Sequence, residues 1–220
     1  VYLSALARSG GFEVRGLEPA ASAASAAKSL FGVAVDAGTA YDYDAYADFD
    51  AIALLAVLEH LRDPRALLET IARRMKVGAT LIVEVPNADF FGDYPAIGRV
   101  SEPFGEFSNE HINFFGDTSL RRLARDVGLS FVVSEPFPYL LGIRGLLAAF
   151  RKTGSADDAY RTQGSGHSVR RYVDRSAQAI ERVESRLIDG GVGKRPIVLY
   201  GAGSHSARLL AQGVLRDAQI

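Results

Sequence analysis

Residues 49–64, FDAIALLAVLEHLRDP, decide the fold of this chain. Within them, residues 50–56 read as one continuous apolar strand without polar alternation. Such a run is expected to be buried on both faces, as strands of parallel sheets are. Asp63 and Pro64 then open a helix, the aspartate as cap and the proline at the first helical position. Leu67, Leu68, Ile71 and Met75 recur at helical spacing as its buried stripe, and Gly78 closes it. Residues 79–85, ATLIVEV, form the next strand, stopped by Pro86.

The same alternation extends in both directions. Upstream, Tyr2, Leu3, Leu6 and Ala7 share one face of a helix that ends at Gly10-Gly11. Residues 12–17 are a strand with Val14 and Leu17 suited to burial, followed by Glu18-Pro19. An alanine-rich helix over residues 20–30 leads to a short strand at residues 33–35. The tyrosine- and aspartate-rich residues 41–48 form an exposed face or loop with no assigned chemistry. Downstream, a glycine-, proline- and aromatic-rich connection runs to Phe115, then a helix over 117–127 and a strand over 129–134. Strand and helix thus alternate to about residue 135, which predicts a doubly wound α/β fold with a mostly parallel sheet. In such sheets ligands bind at the carboxyl ends of the strands.

Beyond residue 150 the character changes. Residues 1–150 form the first domain and residues 151–168 a polar linker. Residues 169–220 hold a long helix and the start of a second α/β unit. Val169, Val173, Ile180, Val183 and Leu187 make a stripe that docks on the first domain or pairs with a second copy of the chain. A strand over 196–200 leads into the turn Gly201-Ala202-Gly203-Ser204-His205.

Composition narrows the function classes. The chain has 220 residues, 48% hydrophobic and 23% charged, and a net charge of -1, so it can bury a core. That balance points away from nucleic acid and anionic membranes as partners. No apolar run reaches the roughly 18 residues of a membrane span. With no cysteine there is no disulfide, zinc-thiolate site or thiol nucleophile. The four histidines show no metal-ligand spacing, so no metal is expected. A cytoplasmic enzyme using an organic cofactor fits these bounds.

The candidate site residues follow from the strand ends. Glu18 is placed to accept both hydroxyls of an adenosine ribose; a surface glutamate is the plain alternative. His111, in Glu110-His111-Ile112-Asn113, has the imidazole chemistry of a general base, with Glu110 to orient it. The alternative is a histidine that ties the loop down. His60 suits a helix end or cofactor wall better than catalysis. Phe90, Phe91, Tyr94, Phe104 and Phe107 either wall a pocket or pack the loop.

The segments GFEVRGLEP, LFGV, FDAIALLAVLEHLRDP, ARRMKVGATLIVEVPN and EHINFF, in that order, resemble the class I S-adenosylmethionine-dependent methyltransferase superfamily over residues 1 to 135. The resemblance implies S-adenosylmethionine as cofactor, with Glu18 as ribose ligand and Asp36 and Ala37 near the adenine. It places Leu55, Ala56, Val57 and Leu58 along the methionine side. It also implies a first strand and an acidic-glycine loop ahead of Val1, so the chain reads as cut at both ends. The tail, GAGSHSARLL at residues 201–210, is similar to the sugar C-methyltransferase group, in which a second Rossmann-like domain follows the first. Ser108 stands where that group has a tyrosine. The implied reaction is methyl transfer to a small-molecule acceptor, including C-methylation of a nucleotide-linked sugar, with His111 as base. Two other readings stay open: a nicotinamide-dependent oxidoreductase, and a non-catalytic binding module of the same fold.

Overall fold

A computed structural model describes residues 2–93, 107, 110–138, 144–153, 166–192, 210, 213, 215 and 216. The predicted strand at 196–200, the turn Gly201-Ala202-Gly203-Ser204-His205, Tyr94, Phe104 and Ser108 lie outside these residues.

The described chain is mixed α/β. Helices α1 (Tyr2–Ser9) and α2 (Ala21–Phe31) alternate with β1 (Arg15–Glu18) and β2 (Ala34–Ala37). Strand β3 (Ala51–Leu55), helix α3 (Pro64–Arg74) and β4 (Thr80–Pro86) follow, then α4 (Asp117–Asp126), β5 (Ser130–Pro138), β6 (Arg144–Arg151) and α5 (Gly166–Asp189). Strands β1 and β2 pair in parallel. The other four form one sheet in the order β3-β4-β6-β5. Its β3–β4 pair is parallel, and β6 runs antiparallel to both β4 and β5. Hence β3, β4 and β5 share a direction, which aligns their carboxyl ends.

The main core lies on one face of this sheet. Leu54 of β3, Leu81, Val83 and Val85 of β4, and Leu146, Ala148 and Phe150 of β6 alternate toward it. Leu67, Leu68, Ile71 and Ala72 of α3, with Leu120 and Ala124 of α4, close it. The predicted α3 stripe is this surface, Met75 included. The expected cap is present too: Asp63 Oδ1 accepts the Ala66 amide at 2.9 Å, and Pro64 opens the helix. Asp63→Ala is therefore expected to cost about 1 kcal/mol, read as a lowered urea midpoint with an unchanged slope.

Two local expectations are corrected, and the face shared by Tyr2 and Leu6 on the predicted helix α1 is found exposed. Strand β3 is not buried on both faces: Ala51 and Ala53 are exposed, because among the described residues β3 pairs only with β4. On α1 the buried residue is Ser4. In residues 41–48 the exposed face is interrupted by Tyr46, which is buried in the main core and donates to Ala40 O at 2.7 Å. Burial pushes its phenol up to about 12.

Strand β6 is an element the sequence pattern did not delineate, whereas the long helix is present as α5 and its first turns dock on the first domain, one of the two readings of its stripe. Helix α5 buries Ser168, Tyr172 and Ser176, one residue per turn; of the predicted stripe Val169 packs beside them, Val173, Ile180 and Leu187 are half-buried and Val183 is exposed. Tyr172 packs with Ala88 and Phe91 of the 3-10 turn Ala88–Asp93, and with Phe107 and Phe114. The Gly92 amide donates to Ser168 Oγ at 2.9 Å, and Arg175 donates to Gly92 O at 2.8 Å. Arg171 pairs with Asp93. A side chain at Gly92 would collide with the Arg171 guanidinium, so glycine permits this close approach. The aromatics Phe90, Phe91 and Phe107 thus serve helix docking here.

Candidate functional site

Two groups of residues meet at carboxyl ends of strands. The first is at β1 and β2. Their parallel register sets Glu18 level with Ala37, and Leu17 level with Asp36. Asp36 and Ala37 are the last two residues of β2 and do not follow it. Glu18 Oε1 accepts the Ala20 amide at 3.0 Å, which orients the carboxylate as the chain leaves the strand. Asp36 has local partners: Tyr43 donates to its Oδ2 at 3.2 Å and Arg15 lies 3.8 Å away. The carboxyl ends of β1 and β2 therefore carry an oriented carboxylate level with a small residue.

The second group follows β3. Leu55 is level with Glu84 of β4, and the Ala56 amide donates to Glu84 O at 3.1 Å. Ala56 then takes φ 52°, a left-handed conformation that is costly for a residue with a Cβ. Strain of this kind collects at functional turns. Here it swings the chain from the strand into the 3-10 turn Leu58–His60. Leu58 points into the main core and is fully buried, with Val57 packed against that core. Leu55 and Ala56, which are less buried, present the surface of this turn.

The turn holds Glu59, the site residue that sequence reasoning did not assign. Its side chain is 2% exposed, and Oε2 has no hydrogen-bond partner. Burial, the largest cause, pushes its carboxyl above the usual range, with His60 acting in the opposite sense. A polar side chain flanked by Leu58 and Leu61 was the available signal, since a buried carboxylate there needs a purpose.

Residues 110–113 are stitched onto this turn. The amides of Ile112 and Asn113 donate to Glu59 O at 2.9 and 3.1 Å. Asn113 Nδ2 donates to Leu58 O at 3.1 Å and also to Leu61 O. His60 Nδ1 lies 2.8 Å from Glu110 O. A carbonyl only accepts, so Nδ1 carries a proton, and in the neutral ring the lone pair is on Nε2. These contacts bring His111 beside His60, with ring centroids 4.9 Å apart in an edge-on arrangement. His60 Nε2 in turn lies 3.8 Å from Glu59 Oε1.

The structure thus unites His111 and His60, which the sequence treated separately. Glu110 contributes its backbone carbonyl to His60, and its carboxylate acts on His111 through charge. Burial, then the neighbouring His60, lowers the His111 pKa; Glu110 opposes them. His111 is therefore held as a neutral imidazole near pH 7. That state can take a proton or ligate a cation.

The family described as "Methyltransferase domain" matches residues 1–135. Comparison with curated protein sequences finds no match. Among solved structures, a SAM-dependent methyltransferase of Thermotoga maritima, described as a possible histamine N-methyltransferase, is similar at 22% identity and TM-score 0.51. That match covers 63% of this chain and 72% of the other. The 1,6-didemethyltoxoflavin-N1-methyltransferase of Burkholderia thailandensis was solved with 1,6-didemethyltoxoflavin and S-adenosylhomocysteine bound. It is 18% identical with a TM-score of 0.50, over 68% of this chain and 65% of its own. A SAM-dependent methyltransferase from Methanosarcina mazei is 15% identical with a TM-score of 0.53, over 68% and 86%. At these identities the structural likeness is one of fold, while the family match spans most of the chain. The chain belongs to the methyltransferase-domain family of S-adenosylmethionine-dependent enzymes.

Proposed function

We propose that this protein transfers a methyl group from S-adenosylmethionine to a small-molecule acceptor, and that the acceptor is a nucleotide-linked sugar methylated at carbon. The observation that carries the acceptor side is the pairing of two imidazoles, His60 and His111, at the carboxyl end of β3. The bound cofactor supplies a methyl on a sulfonium, an electrophile that needs alignment more than activation.

Glu18 holds the ribose hydroxyls by charge-assisted hydrogen bonds, with Asp36 and Ala37 bordering the adenine. Leu55 and Ala56 border the methionine side, with Val57 and Leu58 behind them. His111, kept neutral by burial and by His60, takes the proton from the acceptor hydroxyl or acidic C–H, and Glu110 favours the resulting imidazolium. The sugar assignment draws on the resemblance of residues 201–210 and not on the described site. A nicotinamide oxidoreductase would also use Glu18, but a methyltransferase-domain match over residues 1–135 favours methyl transfer.

Calorimetric titration with S-adenosylhomocysteine tests the reading. The wild-type protein is expected to bind in the micromolar range, and Glu18→Ala to weaken binding tenfold or more, about 1.4 kcal/mol. Binding of NAD in place of S-adenosylhomocysteine would overturn the proposal, as would an unchanged affinity in the Glu18 variant.

A further inference from the structure

We infer that Glu59, His60 and His111 form a binding site for a divalent cation of the zinc class. The three residues offer one carboxylate oxygen and two imidazole nitrogens that all lie within 4.8 Å of one another. Two histidines and a glutamate are a ligand set of zinc sites that keep an open position. Imidazole nitrogen favours Zn2+ and its transition-metal neighbours, whereas Mg2+ and Ca2+ prefer oxygen.

Three independent features make this more than a cluster of suitable side chains. The first is tautomer control. Glu110 O fixes the proton of His60 on Nδ1, so the lone pair of Nε2 faces Glu59. Ligating histidines commonly donate their other ring N–H to a backbone carbonyl in this way. The second is Glu59, whose Oε2 is a buried side-chain oxygen without a hydrogen-bond partner. A buried carboxylate with an unsatisfied oxygen is costly, and a bound cation would offset that cost. The third is rigidity, because Glu59 O, Leu58 O and Leu61 O all receive hydrogen bonds from residues 112 and 113. The two ligand-bearing segments are therefore locked together whether or not a cation is present.

The geometry needs only side-chain adjustment. Ligands at about 2.0–2.1 Å around a tetrahedral ion stand about 3.3 Å apart. His60 Nε2 and Glu59 Oε1 are already at 3.8 Å, and the half-exposed His60 ring can close the gap.

This inference does not depend on the methyl-transfer reading, but it bears on it. A lone pair bound to a cation takes no proton, so zinc occupancy and proton acceptance exclude each other at His111.

The test is titration of the metal-stripped full chain with ZnCl2 by calorimetry, with MgCl2 as comparison and no methyl donor or acceptor. One zinc per chain is expected at micromolar Kd or tighter, with no saturable magnesium binding. Glu59→Gln, His60→Ala and His111→Ala should each weaken zinc at least tenfold. His167→Ala, an exposed histidine on α5, should not. Circular dichroism confirms that each variant is folded; His60→Ala keeps the test decisive if the buried Glu59 variant is not, since His60 is exposed. Absence of zinc binding, or binding that survives loss of His60 and His111, overturns the inference. S-adenosylhomocysteine titration is read separately, so failure of one proposal is distinguishable from failure of the other.

Discussion

Phe150→Ala is expected to lower the free energy of unfolding by about 3–5 kcal/mol. Phe150 is 1% exposed, level with Leu81 on β4 and with Phe131 on β5. Its ring meets that of Phe131 at 6.2 Å between centroids. Because β6 is an interior strand, hydrogen-bonded on both sides, neighbouring backbone cannot collapse into the void left by the truncated ring. Against a total stability of about 5–15 kcal/mol for a typical domain, this is a large fraction. Urea unfolding at equilibrium measures it. The neighbouring Leu147→Ala, on the exposed face of the same strand, should cost far less. Equal losses at both positions would contradict the one-sided core.

His111→Ala is expected to reduce the single-turnover methylation rate by about 100-fold or more. The imidazole sits where the stitched loop meets the 3-10 turn after β3, with the His60 ring beside it. Donor binding should be little changed, because Glu18 and Ala37 stand at the ends of different strands. Glu110→Ala should have a smaller effect. Its backbone carbonyl, which fixes the His60 tautomer, survives that substitution, and only its charge is lost. A rate unchanged in His111→Ala would remove the histidine from the chemistry.

The elements of residues 49–87 were legible because the signals for strand, helix start and strand stop agreed, although the burial read from the apolar run held on one face only. The apolar run, the Asp63-Pro64 start, the α3 stripe and the Pro86 stop all reappear in the structure. Periodicity said less where burial depends on what covers an element. Nothing in the spacing of Tyr2 and Leu6 distinguishes a covered helix face from an uncovered one. Strand β6 was missed because GLLAAF lacks β-branched residues and alternation, and reads as helix or strand equally well. Its strand state is imposed by pairing with β4 and β5, a long-range effect.

The candidate site was half legible for the same reason. Glu18, Glu110 and His111 stood out by position near strand ends. Glu59 did not, since one acidic residue beside Leu58 resembles any surface glutamate until its burial is seen. The joining of His60 to His111 depends on hydrogen bonds from Ile112 and Asn113 to a carbonyl some fifty residues earlier, as the contact of His60 with Glu110 does. No local pattern encodes such a pairing.

Helix α5 also carries a consequence for how the protein would come apart. Its first three turns are clamped by Ser168, Tyr172, Arg171 and Arg175, while Val183 and Ile188 farther along are 44% and 55% exposed. A single helix therefore contains two regimes of motion. Its amides near Tyr172 should exchange with deuterium only when the 3-10 turn beside β4 also opens, whereas those near the more exposed Val183 and Ile188 should exchange sooner, by local opening. Within α5, trypsin should cut more readily at Arg182 and Arg186 than at the clamped Arg171 and Arg175, and such a cut leaves both histidines of the site on the same fragment as the clamped turns.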